Sequence, residues 1–115
     1  METSTRKEPD QSKLTNLFEL YQSKKYVDAE ELAISLTQEF PESQFAWKVL
    51  GAILMKTNRS SESLFPNQRA VKINPEDPLA HNNLGTSLKD LRRYEEAKSC
   101  FQKAITFKPD FAEAY

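Results

Sequence analysis

The side chains able to do chemistry are few, and their spacing is wrong for it. His81 and Cys100 are the single histidine and the single cysteine, so neither an internal disulfide nor a metal site of familiar spacing can be assembled from them. Cys100 stands beside Phe101 on a helical stripe, which points to a half-buried inert thiol rather than a nucleophile. His81 falls on an apolar stripe, as a packing residue rather than a ligand. Glu95 and Glu96 are adjacent carboxylates, but they fall where a helix begins, and there they answer the helix dipole. No residue set has the makings of a triad, and neither glycine belongs to a phosphate-binding loop. The chain therefore reads as a non-enzyme that needs no metal or cofactor. What remains are groups that bind: the amides of Asn82 and Asn83, each with two donors and an acceptor, and a series of aromatic and aliphatic side chains.

The elements that position these groups repeat. Pro41, Pro75 and Pro109 stand 34 residues apart. The same step relates Trp47 to His81, Leu50 to Leu84, Gly51 to Gly85, Leu54 to Leu88, Ala70 to Ala104 and Val71 to Ile105, and Tyr26 and Tyr94 lie two steps apart. Within each step, apolar residues recur at three- and four-residue spacing in two blocks, the pattern of two amphipathic helices. Leu14, Leu17, Phe18, Leu20 and Tyr21 make the first such face after Asp10, a candidate N-cap. Ser43 and Asp77 are the corresponding caps further on, with Pro78 in a first helical turn. The period divides the chain into a disordered tail over 1–9, repeats over 10–43, 44–77 and 78–111, and the start of a truncated fourth repeat over 112–115. Two interior glycines call for close helix approach, with Ser63 expected opposite Gly51 and Ala97 opposite Gly85. Repeat one has Lys13 and Leu17 in the positions of Trp47 and Gly51, so its two helices should pack less tightly. Pro66 interrupts the second helix of repeat two, where a kink or an early break is expected. Trp47 is expected to be buried.

Bulk composition narrows the field further. Two glycines, 38% hydrophobic and 29% charged residues fit a helix-rich protein. Sixteen basic against seventeen acidic residues leave a net charge of −1, which gives no footprint for nucleic acid or an anionic membrane and implies binding that depends weakly on salt. No stretch reaches the roughly 18 apolar residues of a membrane span, and METSTRKEPD lacks the apolar block of a secretory signal, so a cytoplasmic protein is expected.

The motifs Trp47-x-x-Leu50-Gly51 and Ala97-x-x-x-Phe101, with a proline closing each unit, resemble the tetratricopeptide repeat family over about Asp10 to Tyr115. The run from Ala80 to Tyr115 is similar in style to the arrays that precede O-linked N-acetylglucosamine transferases and related bacterial proteins. The resemblance implies an all-α, right-handed superhelical solenoid of three antiparallel helix pairs, whose first helices line a concave groove for a protein or peptide partner. Transferred by the 34-residue step, the groove takes Leu14, Thr15, Phe18 and Tyr21 from repeat one. Repeat two adds Phe45, Lys48, Val49, Ala52 and Met55, and repeat three adds Asn82, Asn83, Thr86, Lys89 and Asp90. Relatives that clamp a terminal carboxylate use lysines, arginine and asparagines where this chain has Leu14, Phe18, Val49, Leu79 and Asn83, and of these only Asn83 fits. Three readings follow: a scaffold that binds a partner segment; the substrate-recruiting arm of a larger glycosyltransferase-like enzyme; and an adaptor that self-associates through an open C-terminal end.

Overall fold

The computed structural model describes residues 7–108. Most of the expected tail and the expected start of a fourth repeat lie outside the described residues, although Pro9, inside that tail, is buried. Six helices follow one another: α1 (Gln11–Gln22), α2 (Tyr26–Glu39), α3 (Gln44–Lys56), α4 (Ser60–Ile73), α5 (Pro78–Asp90) and α6 (Tyr94–Phe107). No strand occurs among the described residues. Each helix packs on the next, and α3 also touches both α1 and α5, giving an all-α solenoid measuring 46 × 27 × 22 Å with α1, α3 and α5 as one layer.

Helix ends repeat at the same step as the sequence. Lys24, Asn58 and Arg92 take the left-handed conformation, with φ of 62°, 62° and 64°. The following amides, of Lys25, Arg59 and Arg93, donate back to the carbonyls of Leu20, Leu54 and Leu88 at 2.9, 2.7 and 2.8 Å. This is a Schellman closure, usually built on glycine and here carried by lysine, asparagine and arginine. At the opposite ends, the amides of Phe40, Asn74 and Lys108 donate to Leu36, Ala70 and Ala104, and a proline follows each of the first two within a residue. Ser43 Oγ accepts from the Ala46 amide and Asp77 Oδ1 from the Leu79 amide, so both caps form as expected. The Asp10 carbonyl accepts from the amides of Lys13 and Leu14 at the start of α1.

Packing inside the repeats differs from expectation in an instructive way. The residue that fills the notch at Gly51 is Asn67, and at Gly85 it is Phe101, one helical turn beyond the expected Ser63 and Ala97. A Cβ on Gly51 would lie 1.9 Å from Asn67 Oδ1, and one on Gly85 would lie 2.7 Å from the Phe101 ring. The glycines therefore admit a large side chain from the paired helix. In repeat one the same two positions hold Leu17 and Ala33, both fully buried, so large and small have exchanged helices. As expected, α1 and α2 make the least close backbone approach of the three pairs.

The interfaces between repeats come in two kinds. Between repeats one and two, Leu17, Ala29, Ala33, Leu36 and Ile53 form part of one apolar cluster. Between repeats two and three, the positions of Ala29, Ala33 and Ile53 are taken by Ser63, Asn67 and Ser87, which are also fully buried. Asn67 Nδ2 donates to Ser87 Oγ at 2.8 Å, Ser87 and Ser63 share a hydrogen bond at 2.6 Å, and Ser63 Oγ donates to the Ser60 carbonyl at 2.7 Å. Since Ser63 has one proton and spends it on that carbonyl, Ser87 must be the donor to Ser63.

Three further expectations meet the structure. Helix α4 runs without a break through Pro66, which is buried, so an early break is ruled out. Trp47 is only half-buried: its Nε1 donates to the Pro41 carbonyl at 2.9 Å, its ring meets exposed Phe65 edge-on, and the Arg69 guanidinium lies 5.6 Å from its centroid. His81, one step on, sits 2.6 Å by its Nε2 from the Pro75 carbonyl and stacks on Phe107 at 5.7 Å. A carbonyl only accepts, so His81 carries its proton on Nε2 and serves, like Trp47, as a strut between a loop and a helix.

Gly51→Ala is expected to lower stability by about 1–3 kcal/mol through overpacking, despite the gain of about 1 kcal/mol in helix propensity. In an Asn67→Ala background, which makes room as Ala33 does beside Leu17, Gly51→Ala should cost little, although Asn67→Ala itself loses the bond to Ser87. Urea denaturation of both single variants and the double measures this, and an equal Gly51→Ala loss in the two backgrounds would refute the reciprocal fit.

Candidate functional site

The layer of α1, α3 and α5 encloses a hollow of about 420 Å³. Its apolar walls come from Tyr21 at the end of α1, from Phe45, Val49, Ala52 and Met55 along α3, and from Leu79 at the start of α5. Its polar wall is Asn82, Asn83 and Thr86 on α5, with Lys48 and Lys56 on α3. A second hollow of about 430 Å³, lined by Gln11, Leu14, Thr15 and Phe18, shares Phe45 with the first. The Phe18 and Phe45 rings stand 6.3 Å apart, tilted by 52°, and join the two hollows into one surface. Of the fourteen residues expected in the groove, nine thus meet in the main hollow, and Leu14, Thr15 and Phe18 line the one that adjoins it. Lys89 and Asp90 do not meet them: Lys89 lines a separate hollow of about 320 Å³ with Tyr94, Phe101 and Ile105, at the α5–α6 end, and Asp90 faces Arg59 and Ser60 across another.

These residues differ in how far they are available. Phe18 is 43% and Leu79 40% exposed, whereas Val49 and Asn82 are buried and offer only an edge. The carbonyl of Asn83 takes a long hydrogen bond from Asn67 Nδ2 at 3.4 Å, while its side-chain amide has no partner among the described residues. Thr86 donates its hydroxyl proton to the Asn82 carbonyl, leaving only acceptor capacity. Burial, with the neighbouring Tyr26, pushes the Tyr21 phenol up from its ordinary value, so it stays a neutral donor.

Lys48 proves to be committed within the fold. Its Nζ lies 2.7 Å from Asp77 Oδ2, which also accepts from Gln44 Nε2 at 2.9 Å, while Asp77 Oδ1 caps α5. One carboxylate therefore joins α3 to the first turn of α5 and sets the width of the groove. Burial pushes the Asp77 carboxyl up, but the Lys48 and Gln44 hydrogen bonds outweigh it, and the net direction is below the ordinary aspartate value.

Lys56 and Leu79 belong to the hollow although the site expected from the sequence omitted them. For Leu79 the signal was present, because it stands one 34-residue step beyond Phe45. Lys56 corresponds to Asp90 by the same step, and there the rule loses its chemistry. Cys100 is half-buried, and burial pushes its thiol up, which keeps it protonated and unreactive. No group of three or more His, Cys, Asp or Glu placed to hold a metal occurs among the described residues. Nor is any helix of these residues long and apolar enough to cross a membrane.

Comparison with known proteins places this geometry. Residues 78–111 match the family model described as tetratricopeptide repeat. The peroxisomal targeting signal receptor of Kluyveromyces lactis is 33% identical over 84 residues, which cover 73% of this chain. The chain spans only 14% of that relative's length. Among solved structures, the first TPR of Spaghetti (RPAP3), bound to the HSP90 peptide SRMEEVD, superposes with a TM-score of 0.83 at 18% identity, covering 91% of this chain and 86% of that one. The O-GlcNAc transferase of Thermobaculum terrenum superposes with a TM-score of 0.84 at 22% identity, covering 90% of this chain and 20% of that one. At these identities the two structures speak for the fold.

A carboxylate held below its ordinary value adds stability above about pH 4 that is lost as pH falls through the lowered folded value. Asp77→Asn keeps a capping side chain and removes the charge, so at pH 7 it should cost about 1 kcal/mol. The gap between wild type and variant should close as pH falls below the ordinary aspartate range and through the lowered folded value. Urea melts at several pH values measure it, and a gap independent of pH would show that the ion pair contributes nothing.

Proposed function

Because the chain belongs to the tetratricopeptide repeat family, we propose that the layer of α1, α3 and α5 is a groove that binds a segment of a partner protein, extended or helical. The observation that carries this reading is the continuous surface from exposed Phe18 through Phe45 into a hollow whose far wall holds the uncommitted Asn83 amide. Apolar anchors supply affinity by leaving water, and an amide can hold a peptide backbone without reading its side chains. Phe18, Phe45, Met55 and Tyr21 are the anchors, and Asn83 is the backbone-directed group, with Asn82 and Thr86 beside it. Lys48 acts in this scheme by setting the groove's width through Asp77.

The peptide seated on the Spaghetti domain and the targeting-signal receptor among the relatives support a peptide ligand here. The likeness to an O-GlcNAc transferase favours a second reading, in which the same groove recruits substrates for a catalytic domain elsewhere in a longer protein. Both readings use the same residues.

A Phe18→Ser, Phe45→Ser variant should stay helical, since both side chains line open hollows, and should lose partner binding by at least about tenfold, the effect of removing interface anchors. Pull-down with the wild type and the variant, followed by affinity measurement on the recovered partners, tests this. Equal recovery by both would remove the groove as the binding site.

A further inference from the structure

A net charge of −1 conceals a segregation of charge between the two edges of the solenoid. Every turn that leads from the first helix of a repeat into its second lies on one edge, and across 22–25, 56–59 and 89–93 these turns hold seven basic residues against the single acid Asp90. The turns of the opposite edge, 39–43 and 73–77, hold Glu39, Glu42, Glu76 and Asp77 and no basic residue, although Lys48 pairs with Asp77 and Arg69 reaches the Pro41 carbonyl from α4. On the basic edge, Arg59 is engaged by Glu30 and Glu62, and Arg93 by Glu96. Asp90 accepts the Ser60 hydroxyl. Lys24, Lys25, Lys56, Lys89 and Arg92 remain exposed, with no ion pair among the described residues. Of the other exposed carboxylates near this edge, Asp28 and Glu95 sit in the first turns of α2 and α6, in the outer layer, and Glu19 sits in the last turn of α1, one repeat away from Lys56 and two from Lys89. Lys56 lines the main hollow itself, and Lys89 stands one turn beyond Thr86, which lines it too.

We infer that the segment held by this groove is acidic on one side, with an apolar side chain seated among Phe45, Val49 and Met55 and flanking carboxylates turned to Lys56 and Lys89 on the basic rim. This rests on the groove reading and adds the partner's chemistry and orientation. The far rim decides against a nucleic acid: a polyanion lying along the groove needs cations that track its backbone, and here the exposed cations of the turns stand on one rim while the turns of the other carry Glu39, Glu42 and Glu76. The weak salt dependence expected from net charge is replaced by a strong one, because exposed charges on a rim act within a Debye length, whatever the total.

The test uses the full chain and three fluorescein-labelled nonapeptides that share a central Leu-Phe pair flanked by Asp and Glu, by Asn and Gln, or by Lys. The acidic peptide should bind at least about tenfold more tightly than the neutral one at about 50 mM salt, and the advantage should vanish near 500 mM. Lys56→Glu with Lys89→Glu should abolish that advantage. Glu42→Lys with Glu76→Lys should leave it within about threefold, whereas a whole-molecule charge effect would enlarge it. Equal binding of acidic and neutral peptides, with Phe45→Ser weakening both, overturns the inference and leaves the groove standing. Binding of the acidic peptide that ignores Phe45→Ser overturns both, as does failure of all three peptides to bind. Displacement of the acidic peptide by an oligothymidylate at equal or lower concentration also overturns the inference, in favour of nucleic acid.

Discussion

The two helices of each repeat come together only because one small residue faces one large one. Gly51 receives Asn67 and Gly85 receives Phe101, while Leu17 and Ala33 occupy the same pair of positions with the sizes reversed. Everything else in a repeat follows from that approach. It sets the angle at which the second helix departs, hence the left-handed turn at Lys24, Asn58 and Arg92, and hence the side of the layer on which α1, α3 and α5 stand together. A helix pair of this size cannot hide its own apolar face, so stacking on the next pair completes the burial.

The site inherits its form from this stacking. Side chains that point between repeats become structure, as Ile53 and Ser87 do, and those one residue before, little more than a quarter turn round the helix, become groove, as Ala52 and Thr86 do, with Phe18 in the same phase. The division is not clean at charged positions. Lys48 lies on the groove side, yet the N-cap of α5 holds it, so a residue that looks like a ligand contact is part of the frame. Lys56, on the same helix, has no such partner, and the difference lies in which turn of α3 is level with Asp77.

Much of this was legible in the sequence, because a 34-residue step ties every helix, and every turn inside a repeat, to two others. The step located six helices, the caps at Ser43 and Asp77 and most of the residues that share the main hollow. It failed where the answer depends on a side chain's reach rather than its position. The partner of Gly51 is one turn further along than small size alone suggested, because antiparallel helices meet at an offset that the repeat does not state. Trp47 and His81 share a slot, which the period shows, but that both brace a loop carbonyl from a half-buried site or a stacked one requires coordinates. The opposed charge of the two edges was countable in the sequence once the turns were assigned to edges, and total charge hid it.

The relay from Asn67 through Ser87 and Ser63 to the Ser60 carbonyl bears on the order of the repeats. A hydrocarbon interface accepts any neighbour of suitable shape, whereas a relay needs a donor opposite each acceptor. Were a second copy of repeat two stacked on the first, Ser63 and Asn67 would face Ile53 in place of Ser87; Ser63 would keep the Ser60 carbonyl, but Asn67 would lose its hydroxyl acceptor, and a buried polar group that loses its partner costs about 1–3 kcal/mol. Repeat two therefore accepts repeat three and disfavours itself, so the units are not interchangeable: duplication or shuffling of this array is penalised at a joint that touches no ligand.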